Sequence, residues 1–293
     1  MKVFIFDLLA YGENLDHIKQ GTELPYPLSQ KHFNADVAAR TYAEHLEAWE
    51  ALDRLGYDGV GFNEHHCSPY GLMNSPNLMA SAAAQRTKKL KLLIYGNLLP
   101  LHEPLRLAEE LAMLDCLSNG RIISGFARGI PREYQVQNVP LSQSRERFEE
   151  AYEIVTRAWT EDVFSYAGKY WSYKDVAIWP RPVQKPHPPI IVGGGFPHGA
   201  RRAIAYGNGW MPIGGRGGDT LSMIPPFLEM LKEKGRKPEE VPVLLFGVGM
   251  DVEALKRARD AGVDRVVFGV PPEAKEKVLP ILDKGIAAMR AVA

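Results

Sequence analysis

The stretch Tyr57-Asp58-Gly59-Val60-Gly61-Phe62-Asn63-Glu64-His65-His66-Cys67, followed by Ser68-Pro69-Tyr70-Gly71, sets the reading of the rest of the chain. A short apolar run that ends in a carboxylate and two imidazoles, then meets a Pro/Gly-marked loop, reads as a β-strand presenting polar groups at its C-terminal tip. Side chains alternate across a strand, so His65 faces one way and Glu64 and His66 the other. His65 can then line a cavity while the Glu64/His66 pair braces it. Histidine exchanges protons near neutral pH, which makes Glu64, His65 and His66 candidate catalytic residues. The same trio could also cap a strand end and do no chemistry.

Working outward, the chain repeats one unit. Upstream, Lys2 to Leu9 reads as a buried strand. Asp36 to Leu55 carries Ala39, Tyr42, Leu46, Trp49, Leu52 and Leu55 at helical spacing, with Gly56 as a stop. Downstream come a helix from about Ser75 to Lys88, a strand over Leu90–Leu99, a helix over Glu103–Leu117, a strand over Arg121–Phe126, a polar loop, and a helix over Ser144–Trp159. Val163 to Pro189 breaks the pattern with aromatics around Gly168 and a run of prolines, predicting a surface hairpin. Strands then follow at Ile190–Val192, Gly209–Ile213, Val243–Val248 and Val266–Val270. The helices between and after them are expected over Gly199–Tyr206, Leu221–Lys234, Asp251–Ala261 and Glu273–Ala291. Eight strands alternating with eight helices predict an α/β fold, a single (β/α)8 TIM barrel over residues 1–293 with a short hairpin insertion before the fifth strand. A doubly wound open sheet is the rival, but no Gly-x-Gly-x-x-Gly follows the first strand. Tyr11 to Phe33 is too long for a casual connection and is expected to be either a functional lid or disordered.

Thirty-five basic residues balance thirty-five acidic ones, so neither nucleic acid nor an anionic membrane is an expected partner, and small-molecule chemistry is the default. Cys67 and Cys116 are too few for a disulfide framework, and with no Cys-x-x-Cys no structural metal is expected. The opening apolar run, Met1 to Phe6, is too short for a signal peptide or membrane span, which predicts a soluble, unprocessed cytoplasmic protein.

In a barrel the loops after the strands converge on one face, so residues at strand ends belong to a shared site. Arg128, with Gly129, sits where a guanidinium can pair with phosphate oxygens. Gly193-Gly194-Gly195-Phe196-Pro197-His198-Gly199 runs from strand to helix, so its backbone N–H groups can face an anion; tight packing alone is the lesser alternative, since Gly194 and Gly195 would then cost conformational entropy for no local gain. Tyr95-Gly96-Asn97 would form the opposite wall, the glycine implying a bulge or a flat group close to the backbone.

Several further runs complete a pattern: Asn74-Ser75-Pro76, Leu99-Pro100-Leu101-His102-Glu103-Pro104-Leu105-Arg106, Leu114 to Arg121 and Gly125-Phe126-Ala127-Arg128-Gly129. In order and spacing, and extended by Pro188 to Val192 and Gly207-Asn208-Gly209-Trp210, the chain resembles the bacterial luciferase-like flavin-dependent monooxygenases. The resemblance implies a (β/α)8 barrel holding reduced flavin mononucleotide (FMN) at the strand C-termini. It gives His65 the catalytic position, with Glu64 and His66 beside it. Cofactor binding would fall to Tyr95, Gly96, Asn97, Arg128, Gly129, Gly194, Gly195, Phe196 and Gly199, with Arg128 on the phosphate and a non-prolyl cis peptide at Tyr95–Gly96. Ala127 stands where luciferase has a reactive cysteine, and Gly195, Phe196 and Gly199 replace its acid and hydroxyl phosphate ligands, so backbone amides would carry more of the phosphate.

The function this implies is the oxygenase component of a two-component monooxygenase, using reduced FMN from a separate flavin reductase and O2 to oxidise a small organic substrate. A deazaflavin-dependent hydride-transfer enzyme and a non-catalytic flavin-binding protein are the alternatives, and a metal-dependent barrel hydrolase is weaker because adjacent histidines point apart. A homodimer is expected, with Leu107, Leu111 and Leu114 of the 103–117 helix on one broad face.

Overall fold

In this computed structural model, which describes residues 1–21, 23–213, 220–271 and 273–292, β1 (Lys2–Phe6) forms at once from the apolar start of the chain and pairs in parallel on both sides. Around it the parallel sheet comprises β2 (Gly59–Phe62), β3 (Lys91–Leu98), β4 (Ile122–Ala127), β7 (Ile190–Gly193), β8 (Trp210–Met211), β9 (Leu244–Phe246) and β10 (Arg265–Gly269). Its order, β8-β7-β4-β3-β2-β1-β10-β9, is closed by a parallel bridge between Trp210 and Val243, just ahead of β9. The result is the (β/α)8 barrel expected. β5 (Phe164–Ala167) and β6 (Ser172–Val176) form the separate antiparallel hairpin before the fifth barrel strand.

Helices α1 (Ala35–Leu55), α2 (Pro76–Arg86), α3 (Pro104–Ser118), α5 (Ser144–Thr160), α6 (His198–Tyr206), α7 (Ile224–Glu233), α8 (Val252–Asp260) and α9 (Lys275–Val292) follow the eight barrel strands. Local chemistry sets their ends. Asn34 accepts the Asp36 N–H at 2.9 Å to start α1, and Gly56, at φ 90°, ends it in the left-handed region. Pro76 and Pro104 occupy the first turns of α2 and α3, where a missing N–H costs nothing.

Two apolar layers result. Phe4, Leu93, Tyr95, Ile123, Ile191, Met211, Leu244 and Val267 fill the barrel interior, and the alternate strand positions, among them Val60, Phe62, Ile94 and Phe126, pack outward against the helices. Leu107, Leu111 and Leu114 belong to that outer layer and are buried within the monomer, which corrects their expected place in a dimer face. The exposed apolar residues of that region are Leu78 on α2 and Met113 and Leu117 on α3.

Two loops differ from the sequence reading. The polar stretch after β4 contains a helix, α4 (Pro131–Val136), too short to show a period. Residues 11–33 carry short 3-10 turns at Asp16–Ile18 and Gln30–His32, and Tyr11 and Leu15 pack with Ala38 in a small apolar cluster of their own.

Candidate active site

The strand C-termini open into a cavity of about 380 Å³. Its walls come from the ends of β1 to β4 and β7, from α4, and from the starts of α5 and α6. Phe6, Tyr95 and Gly96 form one side, Arg128 and Arg202 another, and His65 a third. The Tyr95–Gly96 peptide is cis. The β3–β4 register slips between Tyr95 and Asn97, and a Cβ on Gly96 would stand 3.1 Å from the Ala127 Cβ, so a bare backbone is what lets β3 bulge there.

Beyond the end of β2 the side chains of Glu64, His65 and His66 take different partners. His65 reaches the cavity, and its Nδ1 lies 2.8 Å from Oε1 of Glu133, a residue of α4 that is 2 % exposed. The other Glu133 oxygen accepts the Ile130 N–H at 2.9 Å. A carboxylate only accepts, so against it Nδ1 of His65 is the donor, and in the neutral imidazole the lone pair is then on Nε2. Tyr70 stands edge-on to the imidazole, ring centroids 4.9 Å apart.

Glu64 also borders the cavity but is 3 % exposed, its carboxylate being taken up by other partners. Its Oε1 lies 2.8 Å from His66 Nε2, and its Oε2 lies 2.7 Å from His102 Nε2 and 3.0 Å from the Leu98 N–H. Burial pushes its pKa up, but the hydrogen bonds from His102 and His66, the His102 charge and the Leu98 amide outweigh that and bring it down to about 2. Burial likewise opposes the charge on His102, yet Glu64 holds its pKa above the ordinary value. The Glu64/His66 pair therefore braces the β2–β3 loop ends through His102, and His65 takes its support from Glu133 instead.

Another part of the cavity lining is cationic. An Arg128 Nη donates to the Ser144 hydroxyl at 2.5 Å, while the Tyr134 hydroxyl donates to the Arg128 carbonyl. Arg202, on α6, reaches the Gly193 carbonyl at 3.4 Å. Burial and the neighbouring Arg128 charge hold the Arg202 pKa below the ordinary arginine range. The Nε atoms of both arginines and the Tyr95 hydroxyl are buried without a hydrogen-bond partner among the described residues. Among the described residues no carboxylate pairs with either guanidinium. Two half-buried guanidiniums with no carboxylate partner among the described residues make this wall of the cavity electropositive, and a guanidinium fork suits phosphate oxygens.

Of the residues singled out in the sequence, Glu64, His65, Tyr95, Gly96, Arg128, Gly129 and Gly194 line this cavity. Asn97 does not: the bulge turns it outward, where its side-chain amide donates to Asn77 at 3.2 Å. His66, Gly195, Phe196 and Gly199 are not among the lining residues. The Gly199 N–H bonds the Gly195 carbonyl and the Gly194 N–H bonds Met211, so these two amides are committed within the fold. A Cβ on Gly199 would stand 2.3 Å from the Gly194 carbonyl, which makes close packing the reason for a glycine there. Sequence reasoning missed Glu133, Ser144, Arg202 and His102. Pro131 two residues ahead of Glu133 signalled a helix start, and His102 is a polar residue next to the Leu99–Leu101 turn that ends β3.

A family model described as luciferase-like monooxygenase matches residues 23–285. Over 169 residues the chain is 30% identical to the oxygenase component of the flavin-dependent trigonelline monooxygenase of Acinetobacter baylyi, covering 57% of this chain and 47% of that one. The chain spans about half the length of the curated relatives it matches first. The monooxygenase RslO1 from Streptomyces bottropensis has the same fold, with a TM-score of 0.79 at 22% identity over 99% of this chain and 100% of that one. So does an F420-dependent secondary alcohol dehydrogenase, with a TM-score of 0.73 at 17% identity over 100% of this chain and 99% of that one; the fold alone therefore does not choose the cofactor. No described helix is long and apolar enough to cross a membrane. With the family model covering most of its length, the chain belongs to the luciferase-like monooxygenase family.

Proposed function

We propose that the protein is the oxygenase component of a two-component flavin monooxygenase, binding reduced FMN in the strand C-terminal cavity and receiving it from a separate reductase. The observation that carries this reading is the pair of half-buried guanidiniums, Arg128 and Arg202, unpaired by carboxylate among the described residues and sharing one cavity with His65. A phosphate dianion satisfies both cations. Phe6, Tyr95 and the bare Gly96 backbone leave an apolar wall against which a flat ring can lie.

When bound, reduced flavin supplies the electrons that activate O2; the chain's own residues bind, orient and protect. Arg128, fixed by Ser144, and Arg202 hold the phosphate. Glu133 fixes the tautomer of His65 and so leaves Nε2 free to accept a proton or a hydrogen bond at the reacting centre. The Glu64–His102–His66 network holds the loops at the ends of β2 and β3 and does not touch the substrate itself.

The related oxygenase component supports a reductase partner, and the small cavity supports a small organic substrate. A homodimer is proposed through Leu78, Met113 and Leu117, the exposed apolar residues of the adjacent helices α2 and α3. One titration tests the cofactor. Arg128→Ala should weaken FMN binding by about 1.5–3 kcal/mol, the worth of a charge-assisted contact, and leave riboflavin binding nearly unchanged. Equal losses for both ligands would overturn the phosphate assignment, and tighter binding of a deazaflavin than of FMN would move the protein to hydride transfer.

A further inference from the structure

The opposite mouth of the barrel carries a second cationic cavity. β1, β3 and β10 begin with Lys2, Lys91 and Arg265. Lys2 lies beside Arg265 in the register, two positions before the Phe4–Val267 pair, and Lys91 stands two positions before Leu93. Phe4, Leu93 and Val267 all point into the barrel interior, so alternation aims all three cations at the floor of the same interior. They line a cavity of about 490 Å³ whose apolar roof is Phe4 and Ile123, interior residues reached from below.

Its charges do not balance. Five cations, Lys2, Arg54, Lys89, Lys91 and Arg265, stand against two carboxylates, Asp53 and Asp58, in a chain whose formal net charge is zero. Both carboxylates are engaged with backbone. Asp53 accepts the N–H groups of Lys88, Lys89 and Leu90 at 2.8–2.9 Å, and Asp58 accepts that of Val3 at 2.8 Å. The neighbouring Asp264 takes the Arg265 Nε at 2.9 Å, and Asp115 accepts from the backbone N–H and side-chain amide of Gln184 at 2.9 and 2.7 Å. Lys91 Nζ donates to the Gly120 carbonyl at 2.8 Å, a neutral partner. Burial, and the like charges of Lys2, Arg121 and Arg265 against the single opposing charge of Asp115, hold the Lys91 pKa below the ordinary lysine range.

We propose that this N-terminal mouth is an anion site for a small phosphate-type dianion, inorganic phosphate or a phosphate monoester, distinct from the cavity at the strand C-termini. Such a ligand would sit on the barrel axis, contacted by Lys2, Lys91 and the part of Arg265 that Asp264 leaves open. The two sites share no residue, so they can be separated by mutation.

Titration calorimetry at constant ionic strength, with inorganic phosphate in one arm and glycerol 3-phosphate in the other, tests the site. The Arg128→Ala/Arg202→Ala protein should still bind phosphate saturably. Adding Lys2→Gln to it should weaken that binding about tenfold, the loss of one charge-assisted contact, and Lys2→Gln/Lys91→Gln should weaken it further. The ratio of the two arms tells free phosphate from a monoester. No saturable binding in the Arg128→Ala/Arg202→Ala protein, or an affinity unchanged by Lys2→Gln, overturns the proposal. Lys2 lies at the exposed start of the chain, so that single variant decides the matter even if replacing Lys91 impairs folding.

Discussion

His65 draws its direction from a residue sixty-eight positions away, and this separates two kinds of damage. His65→Ala should cut turnover on the order of 10²–10⁴, the range of a proton-transfer role, while FMN affinity changes little, because the phosphate contacts fall to the arginines and not to His65. Glu133→Gln keeps the shape but can present an amide N–H to Nδ1, so it favours the other tautomer. It should lower the rate and shift its pH profile, and Glu133→Asp should restore part of both. A pH profile that Glu133→Gln leaves in place would make the contact structural only. Much of this residue-level picture was legible. Glu64, His65 and Arg128 could be placed at one cavity because each sits at a strand end, and that is where they line it. Asn97 was misread because the bulge at Gly96 adds a residue to β3 and reverses the side chains that follow. Glu133 and Arg202 lie on helices whose approach to the cavity is a matter of tertiary packing, which no local period encodes.

The ends of β2 and β3 are joined by Glu64, His66, His102 and the Leu98 amide, so the stability of this joint depends on pH. Glu64 has its pKa lowered from the ordinary 4.5 to about 2. Its contribution is therefore present above 4.5 and is lost as pH falls through about 2. His102 has its pKa raised, so its contribution is full below the unfolded value and is lost as pH rises through the folded one. Glu64→Gln should cost about 1.5–3 kcal/mol at pH 6 and flatten the fall in melting temperature between pH 5 and pH 3; an acid limb as steep as the wild type's would place the titrating group elsewhere. At the glycine turn before α6, Gly199→Ala would push its methyl against the Gly194 carbonyl. It should lower the melting temperature and flavin affinity together, whereas a pure ligand-amide role for the turn would lower affinity alone. The turn was visible in the sequence as a run of glycines, but the choice between packing and anion binding needed the distance. Helix α4 had no mark in the sequence beyond Pro131 at its first turn, since six residues span too few turns to show a period.

At the scale of the molecule, the alternation of strands and helices was enough to give the barrel, and the aromatic and proline-rich interruption marked the hairpin in the right place. The dimer face could not be read the same way. A barrel helix buries one stripe inward, and the sequence does not say which of its apolar residues are left over; Leu107, Leu111 and Leu114 turned out to be the buried stripe and Met113 and Leu117 the remainder. Light scattering on Met113→Glu/Leu117→Glu should show a smaller particle than the wild type, and two equal masses would remove α3 from the interface. The barrel is also unequal around its circumference. Between most neighbouring strands several residues are in register, but between the segments carrying β8 and β9 the link is the bridge of Trp210 with Val243, where the Trp210 N–H donates to the Pro242 carbonyl at 2.9 Å. A ring with one thin join opens there first, as a cylinder unrolling into a sheet. In native-state hydrogen exchange the Trp210 amide should therefore report a lower opening free energy than the amide of Val266 in β10, although both residues are fully buried.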